Sequence, residues 1–195
     1  MEPMAASPFP GKRWSRREYD RLIEVGFFRP EDRLELIGGA LVVAEPKGSA
    51  HATAVGLVED ALRAAFGTGW VVRGQDPIAT DDESEPEPDV AVVPGARRDY
   101  RDAHPARPVL VVEVAESNLA FDRRRKGSLY ARAGIADYWI LNLVKRVLEV
   151  YREPVPFRSA RFGWRYASVQ VLRSGASATP LAAPNAHIPV VDLLP

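Results

Sequence analysis

No cysteine occurs among the 195 residues, which excludes disulfides, thiolate metal centres of the zinc-finger kind and a cysteine nucleophile. Net charge is also missing, since 26 basic residues balance 26 acidic ones. Nucleic-acid binders commonly carry a global positive excess, so any polyanion here must be met by a local patch. The segment Met1 to Lys12 has no apolar run of signal-peptide length, and nothing elsewhere approaches the ~20 apolar residues of a membrane span. The expectation is a cytoplasmic protein with no membrane contact. Hydrophobic residues, by contrast, make up 46% of the chain, enough at this length for one core and too little for two comfortable ones. A tail over 1–12 and a single domain over 13–195 are expected.

Ser15-x-x-Glu18 reads as a capping box opening an amphipathic helix through Tyr19, Leu22, Ile23 and Phe27. Two apolar stretches, 34–37 and 41–43, flank Gly38-Gly39 and signal a hairpin. Glu35 lies in its first strand and reads, on pattern alone, as its solvated side. Val55, Val58, Leu62 and Phe66 recur at helical spacing, with His51 one turn earlier on the same stripe as a capping or core histidine. Trp70-Val71-Val72 begins a strand, and the acidic, proline-bearing stretch 81–88 argues against helix. The near-continuous apolar runs 89–93 and 109–114 predict central strands covered on both faces. Asp122 reads as the cap of a helix carrying Leu129, Tyr130 and Ala133, closed by Gly134. Strands are expected at 138–141, 147–151 and near 166–172.

One constellation stands out. If the runs 89–93 and 109–114 pair antiparallel, Asp89 and Glu113 become neighbours. Lys126 lies at the centre of the stripe shared with Leu129, Tyr130 and Ala133, whereas Arg124 and Arg125 fall off it, toward solvent or phosphate. Two adjacent carboxylates repel, and one takes up a proton unless a cation neutralises them. Mg²⁺ suits such a pair, with Mn²⁺ as a substitute, because it takes one or two carboxylates and completes its shell with water and phosphate oxygens. Lys126 would orient or help deprotonate a water, or offset phosphate charge.

The segments Leu34-Glu35-Leu36-Ile37-Gly38-Gly39, His51, Pro88-Asp89-Val90, the run 111–117 and the run 126–140 resemble the Uma-two-type restriction endonucleases of the PD-(D/E)XK nuclease superfamily. The resemblance covers about Arg33 to Arg152. It implies an α/β (α+β) fold, a restriction-endonuclease-like mixed central sheet flanked by helices, here with an N-terminal β-hairpin extension. It also implies metal-dependent hydrolysis of DNA phosphodiester bonds by in-line attack of a metal-bound water. By position, Asp89 and Glu113 match the metal ligands, Lys126 a lysine displaced onto the following helix, and Glu35 a supporting acid. The superfamily usually places that lysine two residues after the second acid, where this chain has Ala115.

The leading expectation is therefore a Mg²⁺-dependent DNA endonuclease using Asp89, Glu113, Lys126 and Glu35. A rival is a catalytically silent nuclease fold serving as a nucleic-acid-binding or assembly module, favoured by the neutral charge, Ala115 and the acidic 81–87 segment. Metal-free hydrolysis by the carboxylate pair is a third reading, disfavoured by an inward Lys126. Cutting both strands would favour a homodimer. The apolar C-terminal Ile188, Val190, Val191, Leu193 and Leu194 suit either core or interface.

Overall fold

A computed structural model describes residues 11–29, 31–44 and 47–195; most of the expected N-terminal tail, residues 1–10, lies outside them. Helix α1 spans Arg16–Glu24. Strands β1, Leu34–Ile37, and β2, Ala40–Val43, form the expected hairpin. Helix α2 covers Ser49–Phe66. Strands β3 (Trp70–Gly74), β4 (Val90–Pro94) and β5 (Leu110–Ala115) follow. Three segments then run end to end and together form α3: Leu119–Phe121, a π turn over Asp122–Lys126, and Gly127–Arg132. Strands β6 (Asp137–Asn142), β7 (Val147–Pro156) and β8 (Trp164–Arg173) complete the main sheet. The short pair β9 (Ser177–Ala178) and β10 (Ile188–Pro189) precedes a 3₁₀ turn over Val190–Leu193.

The main sheet runs β3-β4-β5-β6-β7-β8. All its pairings are antiparallel except β5 with β6, which the crossover through α3 makes parallel. One face packs against α2 through Val58, Leu62, Val92 and Val112, and takes in Ile188, Val190, Leu193 and Leu194. Those C-terminal residues are therefore core, and Val191 alone of the five turns out, 51% exposed. The other face packs against α3 through Val111, Tyr130, Tyr138 and Ile140. Coverage on both sides explains why β4, β5 and β6 read as apolar runs rather than alternating ones. No helix among the described residues is long and apolar enough to cross a membrane.

Three expectations need correction. The capping box at Ser15 and Glu18 forms, but Ile23 and Phe27 are exposed and Tyr19 is the buried anchor of α1. Asp122 caps nothing: α3 starts at Leu119, and Asp122 sits inside its π turn with its side chain buried. Glu35 is not on a solvated face either, being 7% exposed. The hairpin docks on the acidic loop, where the Glu85 amide donates to Leu36 and the Gly39 amide to Glu83. That loop shields one side of Glu35. The turn needs glycine twice over, since both Gly38 and Gly39 have positive φ and a Cβ on Gly38 would overlap the Phe162 ring.

Candidate active site

The register Val90↔Val112 continues by one residue to set Asp89 opposite Glu113, as the antiparallel reading requires. Residues 89, 91, 111, 113 and 115 share the face that meets α3. On that side Tyr130 Oη donates to Glu113 Oε1 at 2.7 Å and Lys126 Nζ lies 3.0 Å from the same oxygen. Tyr130 follows Lys126 by one helical turn, so one stripe delivers both groups to one carboxylate. Glu35 reaches in from β1, its Oε2 3.3 Å from Lys126 Nζ and accepting the Glu87 amide at 3.1 Å. All four residues singled out in the sequence thus meet in one cleft of about 200 Å³.

The two principal acids are held differently. Asp89 Oδ1 pairs with Lys47 Nζ at 3.0 Å, while Oδ2 faces His51 Nε2 at 3.2 Å and accepts the Val114 amide at 2.8 Å. Burial alone would raise its pKa, but His51, Lys47 and that amide together bring it to about 2. Asp89 is therefore a fixed anion. Burial pushes the Glu113 carboxyl up, Lys126 pulls against it, and Asp89, Asp122 and Glu35 push it further. Asp122 shifts upward for the same leading reason. Lys126 moves opposite to what burial dictates, because Glu113, Glu35, Asp122 and Asp89 surround it and raise its pKa. Its ammonium keeps its proton.

These acids outnumber the cations beside them, and burial with the neighbouring acids pushes the Glu113 and Asp122 carboxyls up, an imbalance that a hard divalent ion could relieve. No set of three or more acidic or histidine side chains forms a ready cage among the described residues. The donors accordingly fit an ion that takes one or two carboxylates and fills the rest with water and phosphate, as magnesium does, and not a tetrahedral zinc site. Ala115, buried two residues beyond Glu113, lines the cleft but brings only a methyl group to it, and the Lys126 ammonium arrives from α3 instead.

Several groups escaped the sequence. Lys47 carried no pattern that marked it, Asp122 read only as a helix cap, and His51 read as a cap or core residue although its inward stripe was visible. His51 Nδ1 is buried without a partner, so its whole hydrogen-bonding role in this arrangement is directed at Asp89.

A sequence model of the Uma2 family, described as "Putative restriction endonuclease", matches residues 16–190, well beyond the blocks that carried the resemblance. A crystal structure described as a putative nuclease belonging to DUF820 from Anabaena variabilis ATCC 29413 superposes with a TM-score of 0.66 at 16% identity, covering 88% of this chain and 96% of that one. At that identity the likeness shows a shared fold. No curated protein matches the chain.

Proposed function

Since the chain belongs to the Uma2 family, within the restriction-endonuclease-like fold, we propose that it is a Mg²⁺-dependent endonuclease cleaving DNA phosphodiester bonds. The observation that carries this reading is the cleft in which Asp89, just before β4, and Glu113, on the paired β5, come together with the Lys126 ammonium 3.0 Å from Glu113. Asp89 and Glu113 would hold the ion. Bound there, it would supply Lewis acidity, lowering the pKa of a water and drawing charge from the phosphate.

The chain's own groups have separable tasks. Asp89 is kept ionised by Lys47 and His51, so it offers permanent negative charge. Tyr130 fixes the Glu113 carboxylate by a hydrogen bond to Oε1. Lys126, held protonated, cannot take the proton of the attacking water; it donates, orienting that water or offsetting charge that builds on the phosphate oxygens. Glu35 steadies the ammonium from the opposite side. Water attacks phosphorus in line with the departing ester oxygen, forming one P–O bond as the other breaks; the proton of the attacking water passes to bulk water, and the departing oxygen takes one up from it. Cleavage of both strands would pair two copies about a two-fold axis.

The test is cleavage of supercoiled plasmid and single-stranded DNA with Mg²⁺ or Mn²⁺, against chelator. Asp89→Ala, Glu113→Ala and Lys126→Ala should each lower the rate by about a hundredfold or more. A fully active Asp89→Ala/Glu113→Ala double variant removes the reading. DNA binding without cleavage by the unaltered protein would instead favour the catalytically silent module, the reading supported by Ala115.

A further inference from the structure

Helix α3 turns a second face away from the acid cleft. Against β7, β8 and their connecting loop, that face encloses a cavity of about 580 Å³, within the size range of small-ligand sites. Its walls combine the arginines at 123, 124, 125, 161 and 165 with Phe157 and Trp164, and among the described residues no aspartate or glutamate lines it. Glu149 neutralises Arg123 through a hydrogen bond of 2.8 Å to Nε. The other four guanidinium groups have no carboxylate partner among the described residues. Arg165 lies 4.0 Å over the Phe157 ring. Arg125 donates from one terminal nitrogen to Ile37 O at 3.2 Å, yet its Nε is buried with no hydrogen-bond partner. A buried donor left unmade is costly, and burial together with the nearby Arg161 lowers the pKa of Arg125. The cavity therefore has positive charge without an answering anion, and aromatic faces beside it.

We propose that this arginine and aromatic cavity holds an unpaired nucleotide of a single strand, its phosphate on Arg125, Arg161 and Arg165 and its base against Phe157 and Trp164. Guanidinium groups match phosphate oxygens, and ring faces accept any base by stacking. Phe157, 39% exposed, and Trp164 form part of the cavity wall, and a base within a duplex already has both faces stacked, so the strand must be open at that nucleotide for its base to lie on these rings. This names the substrate class of the proposed nuclease and rests on that reading, but binding here needs neither the metal nor the acid cleft.

The test is fluorescence anisotropy of labelled oligothymidylate of about eight nucleotides with the unaltered protein in chelator. A duplex of equal length, thymidine monophosphate and inorganic phosphate serve as competitors. The single strand should bind at least about tenfold more tightly than the duplex. Phe157→Ala should weaken it about five- to tenfold or more. Arg161→Gln/Arg165→Gln, at exposed positions, should weaken it and flatten its salt dependence. Unchanged affinity in both variants, equal affinity for duplex, or displacement by the free nucleotide at the oligonucleotide's own affinity would overturn the proposal. Glu113→Gln separates the two readings: it should abolish cleavage and leave this binding intact. Binding with these properties by an unaltered protein that cuts nothing would sink the nuclease reading alone.

Discussion

Single acids in this molecule respond to burial according to their company, and Glu85 shows the case with a weak partner, His104 Nε2 at 3.9 Å from Oε1, an imidazole that burial itself pushes toward the neutral form. It is 3% exposed, and burial first, then Asp20, raise its carboxyl to about 7, with Arg16 opposing. A folded pKa above the ordinary one means stability that is complete below the ordinary carboxylate range and lost as pH rises through about 7. Urea unfolding should therefore show a contribution from this residue falling by about 2 kcal/mol between about pH 5 and pH 8. Glu85→Gln should remove that loss; an identical pH profile in the variant would place the group in solvent. The residues that the sequence disclosed share a simpler logic. Asp89 and Glu113 follow from strand parity and one pairing, and Lys126 follows from a helical stripe. Lys47 and His51 were not legible as partners of Asp89, because they reach it across 42 and 38 residues of chain, and no local period encodes such a contact.

At the level of elements, the π turn in α3 decides what the helix shows to each side. The Gly127 amide donates to Asp122 O, one residue further than an α-helical bond, which marks a local insertion in the helical register. Counting back from Tyr130 reaches Lys126 without crossing the turn, so the stripe located the lysine correctly. Counting on to Asp122 crosses it, and the aspartate was misread as a cap. The turn is closely packed: a Cβ on Gly127 would lie 3.3 Å from the Asp122 carbonyl oxygen and 3.6 Å from Tyr138. That carbonyl also accepts the Tyr138 hydroxyl at 3.1 Å. Alanine usually strengthens a helix by about 1 kcal/mol over glycine. Here Gly127→Ala should cost about 1 kcal/mol net, because backbone rather than a mobile side chain must yield. Calorimetry finding the variant more stable would show that the turn relaxes freely. Most of the architecture was legible at this scale: the hairpin, α2 and the strands of the main sheet arise where periodicity and glycines placed them, whereas β7 runs on past Pro154 to Pro156 through pairing with β8, which propensity does not reveal.

Taken as a whole molecule, we propose residues 13–195 as one folding unit, closed by the C-terminal return of Ile188, Val190, Leu193 and Leu194 onto the α2 side of the sheet. A ligand that binds only the folded form stabilises all of it. Magnesium at about a hundred times its dissociation constant should add about 2.7 kcal/mol, or about 5 to 10 °C in melting temperature for a chain of this size. Asp89→Asn should abolish that rise, and a rise of equal size in the variant would place the ion elsewhere.

Glu35 is contributed by a two-stranded ribbon that belongs to no part of the main sheet and is held by amides to the acidic loop, by the Arg125 bond to Ile37 O and by the burial of Leu36 and Ile37. Lifting that ribbon would strip the lysine of one counter-charge while the six strands stay paired. If the proposed cleavage is its activity, warming should thus silence the protein before it melts, and the temperature at which cleavage fades would report the parting of a flap, not the loss of the fold.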